Sequence, residues 1–149
     1  FANAAAIIRA SGNADVFEAE ARIAIDRQLG DFLIAANIAA LHTSFRRQGD
    51  AVDFRMQESL GLSYRVGPSV SAGIEAMARS AYKSFKYDGT AFYLGPTVTL
   101  RVRRSWVSLG LTAQVAADRS PGDRGLDEPL ELRDNERFLG RVVWGIHTN

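Results

Sequence analysis

Apolar and polar residues alternate with a period of two along most of the chain. The clearest stretch is Phe92 to Ala116, FYLGPTVTLRVRRSWVSLGLTAQVA. Phe92, Leu94, Val98, Leu100 and Val102 fall on one side, and Tyr93, Gly95, Thr97, Thr99 and Arg101 on the other. After a tight turn at Arg103-Arg104-Ser105 the alternation resumes, with Val107, Leu109, Leu111, Ala113 and Val115 opposite Ser108, Gly110, Thr112 and Gln114. Successive strand side chains point to opposite faces, so the pattern predicts an antiparallel hairpin with one apolar and one polar surface. Each arm has the roughly ten residues that a tilted strand needs to cross a bilayer.

The rest of the chain repeats this unit. Residues 2–10 are Ala-rich and weakly patterned, and are read as a first strand ended by Ser11-Gly12-Asn13. Residues 16–28 set Phe17, Ala19, Ala21, Ile23 and Ile25 against Glu18, Glu20, Arg22, Ala24 and Asp26. On a helix those charges would scatter; on a strand they share one face. Leu29-Gly30-Asp31 turns the chain into Phe32–Phe45, and the polar segment Arg46–Ala51 leads into Val52–Val66. In that strand Glu58 falls on the apolar side, which predicts a bulge or a local register slip. Gly67-Pro68-Ser69 is a turn, Val70–Lys83 a fifth strand and Ser84–Thr90 a loop before the hairpin. A long polar segment, Asp118–Asn135, precedes a last strand from Arg137 to Thr148. The reading is eight strands, with tight turns after the second, fourth and sixth and longer polar loops after the third, fifth and seventh. Short turns at one rim and long loops at the other are the pattern of outer-membrane barrels.

The expected fold is therefore an all-β, antiparallel up-and-down transmembrane β-barrel. It is one domain over 1–149, either closing alone or forming the C-terminal part of a larger barrel. The residues expected to line the lumen are Glu18, Glu20, Arg22, Asp26, Arg55, Gln57, Glu75, Arg79, Arg101, Gln114 and Arg141. Those expected to face lipid are Phe54, Leu62, Ile74, Val98, Leu100, Leu109, Leu111, Val142 and Trp144. Charge on the polar side is concentrated in arginine and interspersed with glycine, serine and threonine. That suits a crowded interior where each planar guanidinium meets a carboxylate bidentately. Phe92 and Tyr82 toward one set of strand ends, and Tyr64 and Trp144 toward the other, are candidates for interfacial aromatic girdles. The alternative is a soluble, lipocalin-like ligand-binding barrel, in which the apolar face would point inward.

Composition narrows the choice of chemistry. With 18 basic and 17 acidic residues the net charge is +1, so no electrostatic case exists for nucleic acid. The chain has no cysteine, which removes disulfides and Cys-ligated zinc and suits an oxidising periplasm. The two histidines, His42 and His147, lack the spacing of metal ligands and read as rim or wall residues. No serine sits in a nucleophile-elbow pattern, so neither enzymatic activity nor a metal or other cofactor is expected. Gly61, Gly73, Gly95 and Gly110 fall on polar faces, where a wall bends or a bulky neighbour needs room. The Arg103-Arg104 pair reads as a solvated rim feature.

The segments LGDFLIAANIAALHTSF, ESLGLSYRVGPSVSAGIEA, AFYLGPTVTLRVRRSWVSLGLTAQV and NERFLGRVVWGIHTN together resemble the C-terminal strands of uncharacterised Gram-negative outer-membrane β-barrel proteins. The resemblance runs from about Asp15 onward. It implies a place in the bacterial outer membrane, contact with outer-membrane lipid, and a passive pore or structural role. It also implies completion by further strands of the same polypeptide or by a partner protein, and leaves open a scaffold that displays its loops within an envelope assembly. The chain starts at Phe1, which suggests processing or a longer polypeptide. It ends His147-Thr148-Asn149 where such proteins usually end on an aromatic residue.

Overall fold

The computed structural model describes residues 2–12, 16–45, 51–119 and 137–146. All of its elements are strands: β1 (Ala2–Gly12), β2 (Val16–Leu29), β3 (Phe32–Phe45), β4 (Ala51–Arg65), β5 (Val70–Lys83), β6 (Lys86–Val102), β7 (Ser105–Arg119) and β8 (Phe138–Ile146). They form a single eight-stranded sheet in chain order, every neighbouring pair antiparallel. The sheet curls into a half-barrel. Arg46–Asp50, most of Asp118–Asn135, and His147, Thr148 and Asn149 lie outside the described residues.

The up-and-down order follows from the period-two alternation. Each strand buries its polar side chains against the same-face neighbours of the next, and a one-residue slip would invert a whole strand. Continuous rows run across the sheet, for example Arg22–Ala39–Gln57–Arg79–Ala91 on the polar face. Ile23–Ile38–Glu58–Ala78–Phe92 is the neighbouring row on the apolar face.

The polar face is the concave one. Tyr93 keeps 1% of its surface exposed and Glu75 6%, while Leu111 on the opposite face keeps 57% and Trp144 64%. Curvature crowds one face and opens the other, so the core of this sheet is its polar side.

Three expectations are corrected. First, the connection after the fifth strand is not a loop from Ser84 to Thr90. Strand β6 begins at Lys86, and Ser84 and Phe85 alone make the turn, both with left-handed φ (47° and 61°). Two successive left-handed residues form the type I′ geometry whose twist matches flanking antiparallel strands. Second, β4 contains no bulge. Glu58 pairs in unbroken register with Ile38 and Ala78 and stands on the apolar face. The irregularities lie instead at Ala81/Tyr82 between β5 and β6 and at Phe92/Tyr93 between β6 and β7. Third, Phe92 is mid-strand, in the row of Glu58, and not at a strand end. Of the two alternatives left open for closure, the eight strands do not close on themselves: β8 pairs with β7 and β1 with β2, and β1 and β8 are the two edges of the sheet.

Candidate functional site: the polar concave face

All the charged and amide side chains expected to face inward share the concave face. The register sets Glu20 with Arg55, Arg22 with Gln57 and Arg79, and Asp26 with Glu75 along common rows. Glu18 lies one row nearer the rim, Gln114 pairs with Tyr93, and Arg101 pairs with Trp106. Arg141 sits opposite Gly110. The residues expected on the other side are on the convex face, with Leu62, Ile74, Val98, Leu100, Leu109, Leu111, Val142 and Trp144 all exposed. Phe54 is partly covered by the Tyr82 ring, 5.7 Å away.

Two polar groupings stand out. In the first, Arg141 on β8 donates from Nη2 to Glu75 Oε2 on β5 at 2.7 Å. On a flat sheet strands three steps apart are separated by about 14 Å, so this contact needs the strong coiling of β5–β8. It also needs an unobstructed path over β6 and β7. Glycines clear it: Gly95 pairs directly with Glu75, and a Cβ on Gly110 would sit 3.8 Å from Glu75 Oε2 and 4.0 Å from Arg141 Cβ. Around the pair lie buried Tyr93, Thr112 and Gln114. The Gln114 side-chain amide is buried without a hydrogen-bond partner among the described residues.

The second grouping surrounds a cavity of about 120 Å³ lined by Glu20, Arg22, Arg55, Gln57 and Arg79 over small Ala39. Here Arg22 donates from Nε to Glu20 Oε1 at 3.0 Å, with Nη2 2.9 Å from the same oxygen. Arg9, on β1, is the cross-strand neighbour of Glu20. Between the two groupings, Asn37 Nδ2 donates to Ser59 Oγ at 3.3 Å. Toward the rim of the β6–β7 turn, Thr99 Oγ1 donates to Ser108 Oγ at 3.0 Å.

Aromatic rings cluster at both ends of the strands on the convex side. Phe32 and Tyr64 are 4.9 Å apart near the β2–β3 and β4–β5 turns. Phe54, Tyr82 and Tyr87 form a chain with centroid spacings of 5.7 and 5.8 Å near the other rim. From Phe54 to Tyr64 the strand runs for about 34 Å at the usual rise. At the tilt of about 35–45° usual for strands of a closed barrel, that run would span roughly 24–28 Å along the barrel axis.

Sequence reasoning placed Tyr93 on this face without singling it out as core, and it did not name Trp106 or Ala39 there. Tyr93 and Trp106 read as one aromatic among many, yet Tyr93 is the largest fully buried side chain among the described residues and Trp106 packs against Gly145. A Cβ at Gly145 would fall 2.6 Å from the indole ring. Its signal was a glycine facing a bulky residue across a strand pair, visible only once the register is known. Among the described residues no group of carboxylates and histidines is placed to hold a metal ion.

A model of the family of unknown function DUF6662 matches residues 20–147. The chain belongs to that family. No curated protein and no solved structure shows a significant match to it. The family match spans β2 to β8 and so includes both groupings, while β1 precedes it.

Proposed function

We propose that this family member forms part of the wall of a bacterial outer-membrane β-barrel, with its convex face in lipid and its concave face lining an aqueous lumen. The carrying observation is the inversion of the usual burial: large apolar side chains are exposed on the convex face, while the concave face carries the charged residues and buries Ser59, Glu75, Thr112 and Gln114. In a soluble lipocalin-like barrel the apolar residues would fill the interior. Water would leave the convex face uncovered over an area far beyond what soluble monomers tolerate. A hydrocarbon environment removes that cost, and aromatic clusters set roughly one bilayer thickness apart fit the two interfaces.

The role is passive and porin-like. In hydrocarbon, each unpaired backbone group of an open edge costs several kcal/mol, so spanning sheets must close. The outer edges of β1 and β8 are accordingly completed by further strands, from the same polypeptide or from a partner chain. A wall of more than eight strands then encloses more than side chains, and the arginines of the concave face border water.

The test is to insert the protein, together with any remaining strands of its polypeptide, into planar bilayers. Stepwise conductance, with recovery of the protein in the detergent phase after phase separation, is the expected outcome. Partition into the aqueous phase without conductance would overturn the assignment.

A further inference from the structure

The charges on the concave face are not spread evenly along its depth. Nearest the rim of the β5–β6 turn the row Glu18–Thr43–Asp53–Lys83–Lys86 balances two carboxylates against two lysines, and Lys83 Nζ is 3.1 Å from Asp88 Oδ2. The next two rows carry Arg9, Arg55, Arg22 and Arg79 against the single carboxylate of Glu20. The row after them, Ala24–Asn37–Ser59–Met77–Tyr93, has no charge. A chain with a net charge of only +1 thus gathers four arginines into one belt.

Within the belt the cavity of about 120 Å³ is lined by three of those arginines, Glu20 and Gln57, beside apolar Leu41 and Met56. Ala39, buried between Arg22 and Gln57, is too small to fill the space or keep the longer side chains apart. Glu20 engages Arg22 at 2.9 Å. Arg55 and Arg79 have no ion-pair partner among the described residues, and both line this one small volume together with Gln57.

We propose that this cavity is a binding site for a small oxyanion, of the phosphate or carboxylate class, within the lumen. The planar fork of arginine matches two oxygens of such an anion, and several forks converging on one volume bind it better than chloride, which offers no paired acceptors. The Gln57 Nε2 adds a neutral donor, and the Glu20 carboxylate orients Arg22. The site deepens the reading of a porin-like wall and rests on it only for the word lumen. Binding itself requires no membrane.

The experiment uses the full chain folded in zwitterionic detergent, titrated with inorganic phosphate and followed by phosphorus NMR and calorimetry. Saturable binding is expected, weakened about tenfold by Arg79→Ser or by Arg55→Ser and abolished by the double substitution. Arg79→Lys keeps the charge but not the fork, and should weaken phosphate several-fold while leaving chloride titrations unchanged. Arg101→Ser, at the far end of the face, should leave binding intact. Phosphate binding that is absent from the folded wild type, or equal in wild type and the folded double variant, overturns the proposal. If the double variant does not fold, the wild-type titration and Arg79→Lys decide by themselves. Because binding is read without a bilayer, a protein that binds phosphate but never conducts would sink the pore and keep the site. A conducting protein that binds none would do the reverse.

Discussion

Leu100 and Thr99 are neighbours in the chain and stand on opposite faces, the first exposed on the convex side, the second hydrogen-bonded to Ser108. If lipid covers the convex face, Leu100→Arg or Leu111→Arg should destabilise the protein in bilayers by about 2–4 kcal/mol, the cost of a cation near the midplane. Thr99→Arg should cost far less, since its new charge meets water. Glu58 supplies the inverse case: a carboxylate already on the apolar face, level with Ile38 and Phe92. Glu58→Leu should stabilise the bilayer-embedded form by up to about 2 kcal/mol. Reversible refolding into vesicles measures all four, and equal costs for Leu100→Arg and Thr99→Arg would refute the face assignment.

Between strands, glycines and ion pairs set how tightly the sheet coils. A Cβ at Gly95 would run into the Leu111 carbonyl oxygen and sit 2.6 Å from Thr112 Cα, so the β6 and β7 backbones would have to separate. Gly61 has nothing nearer than 3.9 Å. Gly95→Ala should therefore cost about 1–3 kcal/mol as an overpacked contact. Gly61→Ala should be neutral, or gain up to about 1 kcal/mol from a less flexible unfolded chain. Denaturant titration in detergent separates the two. The ion pairs should differ in the same way. Glu75 is 6% exposed and its bond to Arg141 reaches across two strands, so a double-mutant cycle on that pair should show coupling of about 1–3 kcal/mol. Arg9 stands opposite Glu20, but the carboxylate is already bonded to Arg22 and the site is open. Coupling between Arg9 and Glu20 should stay below about 0.5 kcal/mol, and a larger value would show that β1 supplies the main partner.

At the scale of the molecule the main fact is an open, curled sheet whose concave side is polar. Its two edges, β1 and β8, differ in pattern: β1 is alanine-rich, whereas β8 carries Phe138, Val142 and Trp144 on its convex side. Both edges present unpaired backbone groups, the feature that directs a sheet to add strands. The belt of arginines, the neutral row and the Glu75–Arg141 pair then succeed one another with depth along a single surface.

Much of this was legible without coordinates. Alternation with a period of two determines which side chains share a face, because a strand offers only two directions; hence the eight strands, their antiparallel order and the polar and apolar sides read directly from residues such as Thr99 and Leu100. What the alternation could not supply is anything that depends on distance across strands. It could not tell a loop from a two-residue turn at Ser84-Phe85, since neither residue is the glycine or asparagine that usually marks left-handed φ. It read Glu58 as a defect because it weighs one strand at a time. It could not say that β8 leaves its edge free, because edge pairing is a property of the closed or open sheet. The convergence of Arg22, Arg55 and Arg79, and the reach of Glu75 over Gly95 and Gly110 to Arg141, arise from register and curvature together. Those two quantities are set by the packing of all the strands at once, so only the tertiary structure decided them.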